Sequence, residues 1–269
     1  DDVLVYHVSS TVGGGSYYMM VVNASNREKI VRWIEPRLRE ASDVDMSDIT
    51  TDWAMIAVQG PRAIELAQPL LNVQVSQMKY YHCSECLADG HHCVVSRTGY
   101  TGEDGCELIV ESPHALDLWQ KLIDAGATPA GLGCRDTLRL EAAMPLYGHE
   151  LSEDINPYQA GLAFAVNLEG RQFPGHDKLV RRKNDPNQPK RVGLAFEGKR
   201  VPREGYAVVA DDRKVGTVTS GTFSPTLNRP IAMAYVEPAF AAEGTELVVD
   251  IRGRDEHARV APLPFYRRK

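Results

Sequence analysis

Apolar and polar residues alternate along this chain in short blocks whose period switches between the two of a strand and the three to four of a helix. Val3–His7 and Tyr17–Val22 read as strands around a glycine turn, Gly13-Gly14-Gly15. A helix capped near Ser25 or Asn26 runs through Trp33, and Pro36, which has no N–H to donate, interrupts or ends it. From Trp53 the blocks tighten into a compact unit. It has strand Ala54–Val58, helix Arg62–Leu71 after Gly60-Pro61, and strands near Lys79–Cys83, His92–Ser96 and Cys106–Val110. A helix Ala115–Ala125 follows, with Leu116, Trp119, Leu122 and Ile123 on one face. This βαβββα order predicts an antiparallel sheet with helices on one side. A further helix is expected within Gly131–Tyr147, where Leu138, Leu140, Ala142 and Ala143 supply apolar positions. The polar, proline-bearing stretch Asn184–Pro189 is the linker candidate. Beyond it, strands at Arg191–Phe196, Ala207–Ala210, Lys214–Thr219, Ile231–Tyr235 and Glu246–Ile251 predict a separate small β domain.

Composition narrows the classes. A chain of 269 residues suggests about two domains and can bury a full core without disulfides. A net charge of −6 argues against a general nucleic-acid surface, and the short basic runs Arg181-Arg182-Lys183 and Arg267-Arg268-Lys269 read as solvated faces or tails. Five cysteines, an odd number, fit free thiols in a reducing compartment. No apolar run approaches the ~20 residues of a membrane-spanning helix, and none has the layout of a signal peptide. No membrane partner is expected, and the expected location is intracellular.

The densest chemistry lies in Ser96-Arg97-Thr98-Gly99-Tyr100-Thr101-Gly102-Glu103-Asp104-Gly105-Cys106-Glu107, which places ionisable side chains and three glycines just before an apolar run. Glycines let backbone approach a ligand closely, and the carboxylates offer acceptors to a planar, donor-rich edge, so the stretch reads as a binding loop. Taken alone it also fits a tight hairpin turn between two strands. Other motifs run in order along the chain. They are Asp1-Asp2, Met20-Val21-Val22-Asn23-Ala24, Val58-Gln59-Gly60-Pro61, Gly131-Leu132-Gly133-Cys134-Arg135-Asp136 continuing to Glu141-Ala142, Met144-Pro145-Leu146-Tyr147-Gly148, Gly216–Thr222, Met233–Val236 and Pro264-Phe265-Tyr266. This colinear series resembles the glycine cleavage T-protein family of aminomethyltransferases from end to end.

The resemblance implies an α+β fold made of an antiparallel-sheet folate-binding domain, an inserted βαβββα domain and a C-terminal small β-barrel. The domains would span 1-50 with 128-184, 51-127 and 185-269. Set against the family, the chain lacks an N-terminal segment ahead of Asp1. The implied activity takes the methylene carbon from the aminomethyl-dihydrolipoyl arm of the H protein to tetrahydrofolate and releases ammonia. The implied place is the cytoplasm, or the mitochondrial matrix in a eukaryote. Matched residue by residue, Glu107 and Arg135 stand at folate-contacting positions, and Tyr100, Val21 and Asn23 line the same pocket. Asp2 stands at the catalytic carboxylate, which is thought to raise the nucleophilicity of the folate amines.

These types suit the task. A carboxylate accepts two parallel hydrogen bonds from a pterin edge, and an arginine holds a carboxylate bidentately. Arg135 also fits an ion pair with Asp136 or Glu141, and Val21 also fits plain core packing. As two adjacent strand residues Asp1 and Asp2 face opposite ways, so only one of them enters the site. Phe164 and Gln159 depart from a tryptophan and a glutamate common in the family. Cys83, Cys86, Cys93 and the nearby His82, His91 and His92 have zinc-ligand chemistry, but strand alternation separates Cys93 from His92, and no metal is assigned. A folate-dependent demethylase, or the folate domain of a dimethylglycine- or sarcosine-oxidising enzyme, would share the implied fold. A folate-binding iron–sulfur assembly factor would carry a cysteine-bearing signature near 149–161, and His149–Gly161 lacks it.

Overall fold

The computed structural model describes residues 1–10 and 14–268, so Gly13 of the glycine turn and Lys269 of the terminal basic run lie outside the described residues. The chain forms two compact units, Asp1–Gly131 and Leu132 onward.

The first unit begins with an antiparallel hairpin of β1 (Leu4–Ser9) and β2 (Ser16–Val21), in which Leu4 pairs with Val21. Helix α1 (Arg27–Leu38) follows. Pro36 lies inside α1 rather than ending it before the last turn, and the helix finishes two residues later. The hairpin alternates as a strand must, with Tyr6 and Val8 buried and Val5, His7 and Ser9 exposed. Next come β3 (Trp53–Gln59), α2 (Ala63–Ala67), β4 (Cys83–Ala88), β5 (His91–Ser96), β6 (Gly105–Glu111) and α3 (Ser112–Asp124). The four strands make an antiparallel sheet in the order β3-β6-β5-β4.

Register assigns each residue of that sheet to a face. Ile56, Val58, Cys86, Cys93, Val95, Cys106, Leu108 and Val110 pack with Ala63 and Ala67 of α2 and Leu118 and Leu122 of α3. The opposite face carries the row Ala57, Glu107, Ser96, Cys83 and, beside it, the row Met55, Ile109, Val94, Glu85. Strand β1 lies against β4, and Tyr6 reaches Thr98 just beyond β5. Two expectations shift. The strand near Lys79–Cys83 is a turn, with the strand proper at Cys83–Ala88, because Tyr81 takes a positive φ and donates its N–H to Arg97 O. On α3 the inward side chains are Leu118 and Leu122, whereas Leu116 is 75% exposed and Trp119 also faces outward.

The second unit opens on α4 (Leu132–Glu141), passes α5 (His176–Arg182), and ends in six strands: β7 (Lys190–Phe196), β8 (Ala207–Ala210), β9 (Arg213–Ser224), β10 (Arg229–Val236), β11 (Glu246–Asp250) and β12 (Asp255–Ala261). They close into a barrel in the order β10-β7-β12-β11-β8-β9. Val192, Leu194, Phe196, Val218, Ala234, Val249 and Val260 fill its interior. Helices combined with antiparallel sheets and a closed barrel make the α+β architecture that the sequence implies. Strand β12 was not expected. Its buried positions are Glu256, Ala258 and Val260, so a glutamate and an alanine stand where alternation would show apolar bulk. The linker candidate is tied down by Gln188, which donates to Arg182 O at 2.6 Å and Asp185 O at 3.2 Å.

Candidate functional site

The loop between β5 and β6 is both a hairpin connection and a rigid polar platform. Arg97 holds it from within, donating to Gly105 O at 3.0 Å and pairing with Asp104 at 2.8 Å. Gln59, at the end of β3, threads across its base and donates from Nε2 to Thr98 O and Cys106 O, both at 3.0 Å. A methyl group on Gly99 or Gly105 would overlap the Gln59 carboxamide, and on Gly105 it would also meet Val58 O. Close approach of another chain segment, not a turn angle, is what these two glycines serve.

Glu107 stands on the sheet face opposite the helices, in register with Ala57 and Ser96, and is 9% exposed. Thr98 Oγ1 donates to Glu107 Oε2 at 2.5 Å. A hydroxyl has one proton, so Thr98 accepts from Ser96 Oγ at 2.6 Å and from Tyr6 OH at 3.2 Å. Burial raises the Tyr6 phenol above its ordinary range, which keeps it a donor. The chain of hydroxyls fixes one carboxylate oxygen, and no described residue bonds Oε1, which is not among the buried unpartnered atoms. Tyr100 is half-buried in the same loop. Further along this face Glu85 is buried, with Ser10 Oγ donating at 3.5 Å and His92 Nε2 lying 3.6 Å away without a hydrogen bond, and its proximity adds to the burial that raises the Tyr17 phenol.

Asp1 and Asp2 precede β1 instead of lying on it, so strand alternation does not separate them. Both turn toward Asn23, at the end of the β2 segment. Asn23 Nδ2 donates to Asp1 Oδ1 at 2.6 Å and to Asp2 Oδ1 at 2.8 Å. Asp1 is saturated further, accepting at Oδ1 from the buried Asn26 at 2.9 Å and at Oδ2 from the Asn23 backbone N–H at 3.2 Å. Asp2 keeps Oδ2 unbonded among the described residues. Val21 is half-buried at the end of β2. Thus Asp2, Asn23, Val21, Tyr100 and Glu107 lie in the first unit, and Arg135, exposed in the first turn of α4, lies in the second.

The second unit has its own polar cluster. Arg139, 1% exposed, donates from Nη1 to Glu150 Oε2, from Nη2 to Ser220 Oγ and from Nε to Asp136 Oδ1, each at 2.8 Å. Glu150 also accepts from Leu146 N at 3.0 Å and from Thr219 Oγ1 at 2.5 Å. Glu141 accepts from Ser224 Oγ at 2.5 Å and Thr226 Oγ1 at 2.8 Å. Asp136 and Glu141, the ion-pair partners the sequence offers Arg135, bond Arg139 and the Ser224 and Thr226 hydroxyls respectively. Gln159 accepts from Asn156, and Phe164 projects outward from a short 3₁₀ turn. Cys86 and Cys93 are cross-strand partners facing the helices.

The sequence itself matches two family models, the GCVT N-terminal domain over residues 1–170 and the glycine cleavage T-protein C-terminal barrel domain over residues 190–267. An aminomethyltransferase of Synechococcus elongatus is 44% identical over 99% of this chain and 71% of its own length. Those of Moorella thermoacetica and Streptomyces coelicolor are 44% and 46% identical, each over the whole chain and 73% of the relative. The crystal structure of glycine cleavage system aminomethyltransferase T from Bartonella henselae superposes with a TM-score of 0.83 at 32% identity, covering 93% of this chain and 68% of that one. The chain belongs to the glycine cleavage T-protein family. Its activity is that of a transferase, moving an aminomethyl group.

Proposed function

We propose that this chain passes the methylene carbon of an aminomethyl group, carried on the dihydrolipoyl arm of an H protein, to tetrahydrofolate with release of ammonia in the cytoplasm. Asp2 carries the reading. Of the two adjacent carboxylates, Asp1 is consumed by three hydrogen bonds, while Asp2 is oriented by one and presents a second oxygen. Such a group can take up or stabilise a proton at the reacting amine without itself having to be found.

The folate supplies the amines that accept the carbon. The role of this chain is to hold the flat ring and its charged tail. Glu107, with Oε2 fixed by Thr98 and Oε1 open, suits the adjacent N–H donors of an aminopyrimidinone edge. Tyr100 offers an aromatic face, Val21 an apolar wall, and Arg135 a fork for a carboxylate. Asn23 enters the site through its grip on Asp2. The same reading assigns residues 1-50 with 128-184 to the folate-binding domain, 51-127 to the inserted one and 185-269 to the barrel.

Asp2→Asn tests it, because asparagine keeps shape and hydrogen bonding and loses only the charge. Tetrahydrofolate affinity is expected to stay within a few-fold. Single-turnover ammonia release from aminomethyl-loaded H protein is expected to fall by about 10²-fold or more, the scale for losing a positioned acid–base group. An Asp2→Asn chain as fast as its parent would sink the assignment.

A further inference from the structure

One end of the barrel gathers arginines in a way its sides do not. The β7–β8 loop and the β11–β12 turn meet there, since Phe196 pairs with Ala258 and Val208 with Val249. Between them lies a cleft of about 500 Å³, floored by Ile251 and Tyr206 and rimmed by Arg200, Arg203, Arg252 and Arg254. Like charges this close repel, so a fold with no use for them would pair each with a carboxylate. Two arginines on the barrel sides are paired in this way. Arg213 makes two bonds of 2.7 Å to Glu237, and Arg259 meets Glu246 at 2.9 Å. In the cleft only Arg200 has an acid, Glu256. Arg252 donates to Tyr206 OH at 3.3 Å, and Arg203 and Arg254 make no ion pair among the described residues. Two acids near the cleft are engaged elsewhere, Asp250 by the Gly253 N–H and Glu204 by His149.

The turn itself departs from local chemistry. The β11–β12 connection closes with Ile251 N donating to Arg254 O at 2.8 Å, and its two central residues, Arg252 and Gly253, have φ of 57° and 75°. Such two-residue hairpins favour asparagine, aspartate or glycine at both centres. The β8–β9 turn obeys, with Asp211 and Asp212 at φ 50° and 57°. At the cleft an arginine takes the first strained position, and local rules are broken most readily where function needs the side chain.

We propose that this cleft binds a small anion with two or more negative charges, of the phosphate or polycarboxylate kind, gripped by the Arg203 and Arg254 forks with Arg200 and Arg252 beside them. Calorimetric titration of the intact chain at low ionic strength, with inorganic pyrophosphate in one arm and citrate in the other, tests it. At least one is expected to bind, with affinity falling as salt rises. A chain carrying Arg203→Gln and Arg254→Gln is expected to lose at least about tenfold in affinity, the scale of one charge-assisted hydrogen bond. Its melting temperature should hold, because both side chains are exposed and unpaired. Arg213→Gln, which removes a paired arginine from the same barrel, is expected to bind as the parent does. Heat with pyrophosphate alone would assign a phosphate ligand, and heat with citrate alone a carboxylate one. No binding of either anion, undiminished binding by the double variant, or an equal loss in Arg213→Gln would each overturn the proposal.

Discussion

Glu150 in the second unit and Glu107 in the first are both withdrawn from solvent, and the chain treats them differently. Glu150 receives a buried guanidinium, a backbone N–H and a hydroxyl, so both oxygens are used. Glu107 receives one hydroxyl, on one oxygen, and no cation. With Glu107 only 9% exposed, its second oxygen has little but solvent to satisfy it until a donor arrives. The contrast separates a carboxylate that fastens a helix to a barrel strand from one kept ready for an incoming donor.

Removing the cation from the saturated carboxylate should have the largest effect. Arg139→Met leaves Glu150 buried and uncompensated, and is expected to cost about 3–5 kcal/mol, seen as a fall in melting temperature of roughly 10 °C. A melt within a degree or two of the parent would mean that the two carboxylates do not differ as described. Glu107→Gln should show the reverse profile. Calorimetry with tetrahydrofolate is expected to give a loss of about 1.5–3 kcal/mol, ten- to a hundredfold in Kd, at an unchanged melting temperature. Unchanged affinity would remove Glu107 from the site.

Smaller effects sharpen how the platform under Glu107 is held. Gly99→Ala pushes a methyl group against the Gln59 carboxamide and is expected to destabilise by about 1–3 kcal/mol. Adding Gln59→Ala should relieve part of that cost, so chemical denaturation of the single and double variants would reveal a coupling if the two residues touch as described. Cys106 lies on the helix side of the same strand, and burial pushes its thiol up to about 12 from an ordinary value near 9. The unfolded chain therefore gives up this proton first. Its contribution is intact below about pH 9 and is lost as pH rises toward 12, by at most about 1.4 kcal/mol per unit. Cys106→Ala should flatten that alkaline slope in a pH series of melts, and an unaltered slope would assign it to other groups.

Much of this was legible in the chain. The βαβββα unit and most barrel strands announce themselves through alternation and turn residues, and the loop at Ser96–Glu107 through its crowding of glycine and charge. What stayed hidden has physical causes. Asp1 and Asp2 looked separable by alternation, but side-chain amides from a later segment, not strand geometry, sort them. Gln59 was visible within Val58-Gln59-Gly60-Pro61, yet its service to the loop depends on β3 pairing with β6, a contact far along the chain. Thr98 could have been suspected by counting faces, two residues on from Ser96 opposite Glu107, whereas Tyr6 comes from the separate β1–β2 hairpin. Arg139 and Glu141 resemble surface charges in a helical pattern and Glu150 one in a turn, and it is the packing of α4 against barrel strand β9 that buries them.

Barrel closure sets an order on synthesis. Strand β7 finds one neighbour in β10 and the other in β12, the latest in sequence of the six barrel strands. At about 5–20 residues per second, β7 leaves the ribosome several seconds before the partner that seals its second edge. During that interval the nascent chain carries an open strand of valine, leucine and phenylalanine, the kind of edge on which chains join wrongly. The β12 side of β7 is therefore the later of its two edges to be covered, and any factor that shields nascent chains would have to guard it for longest.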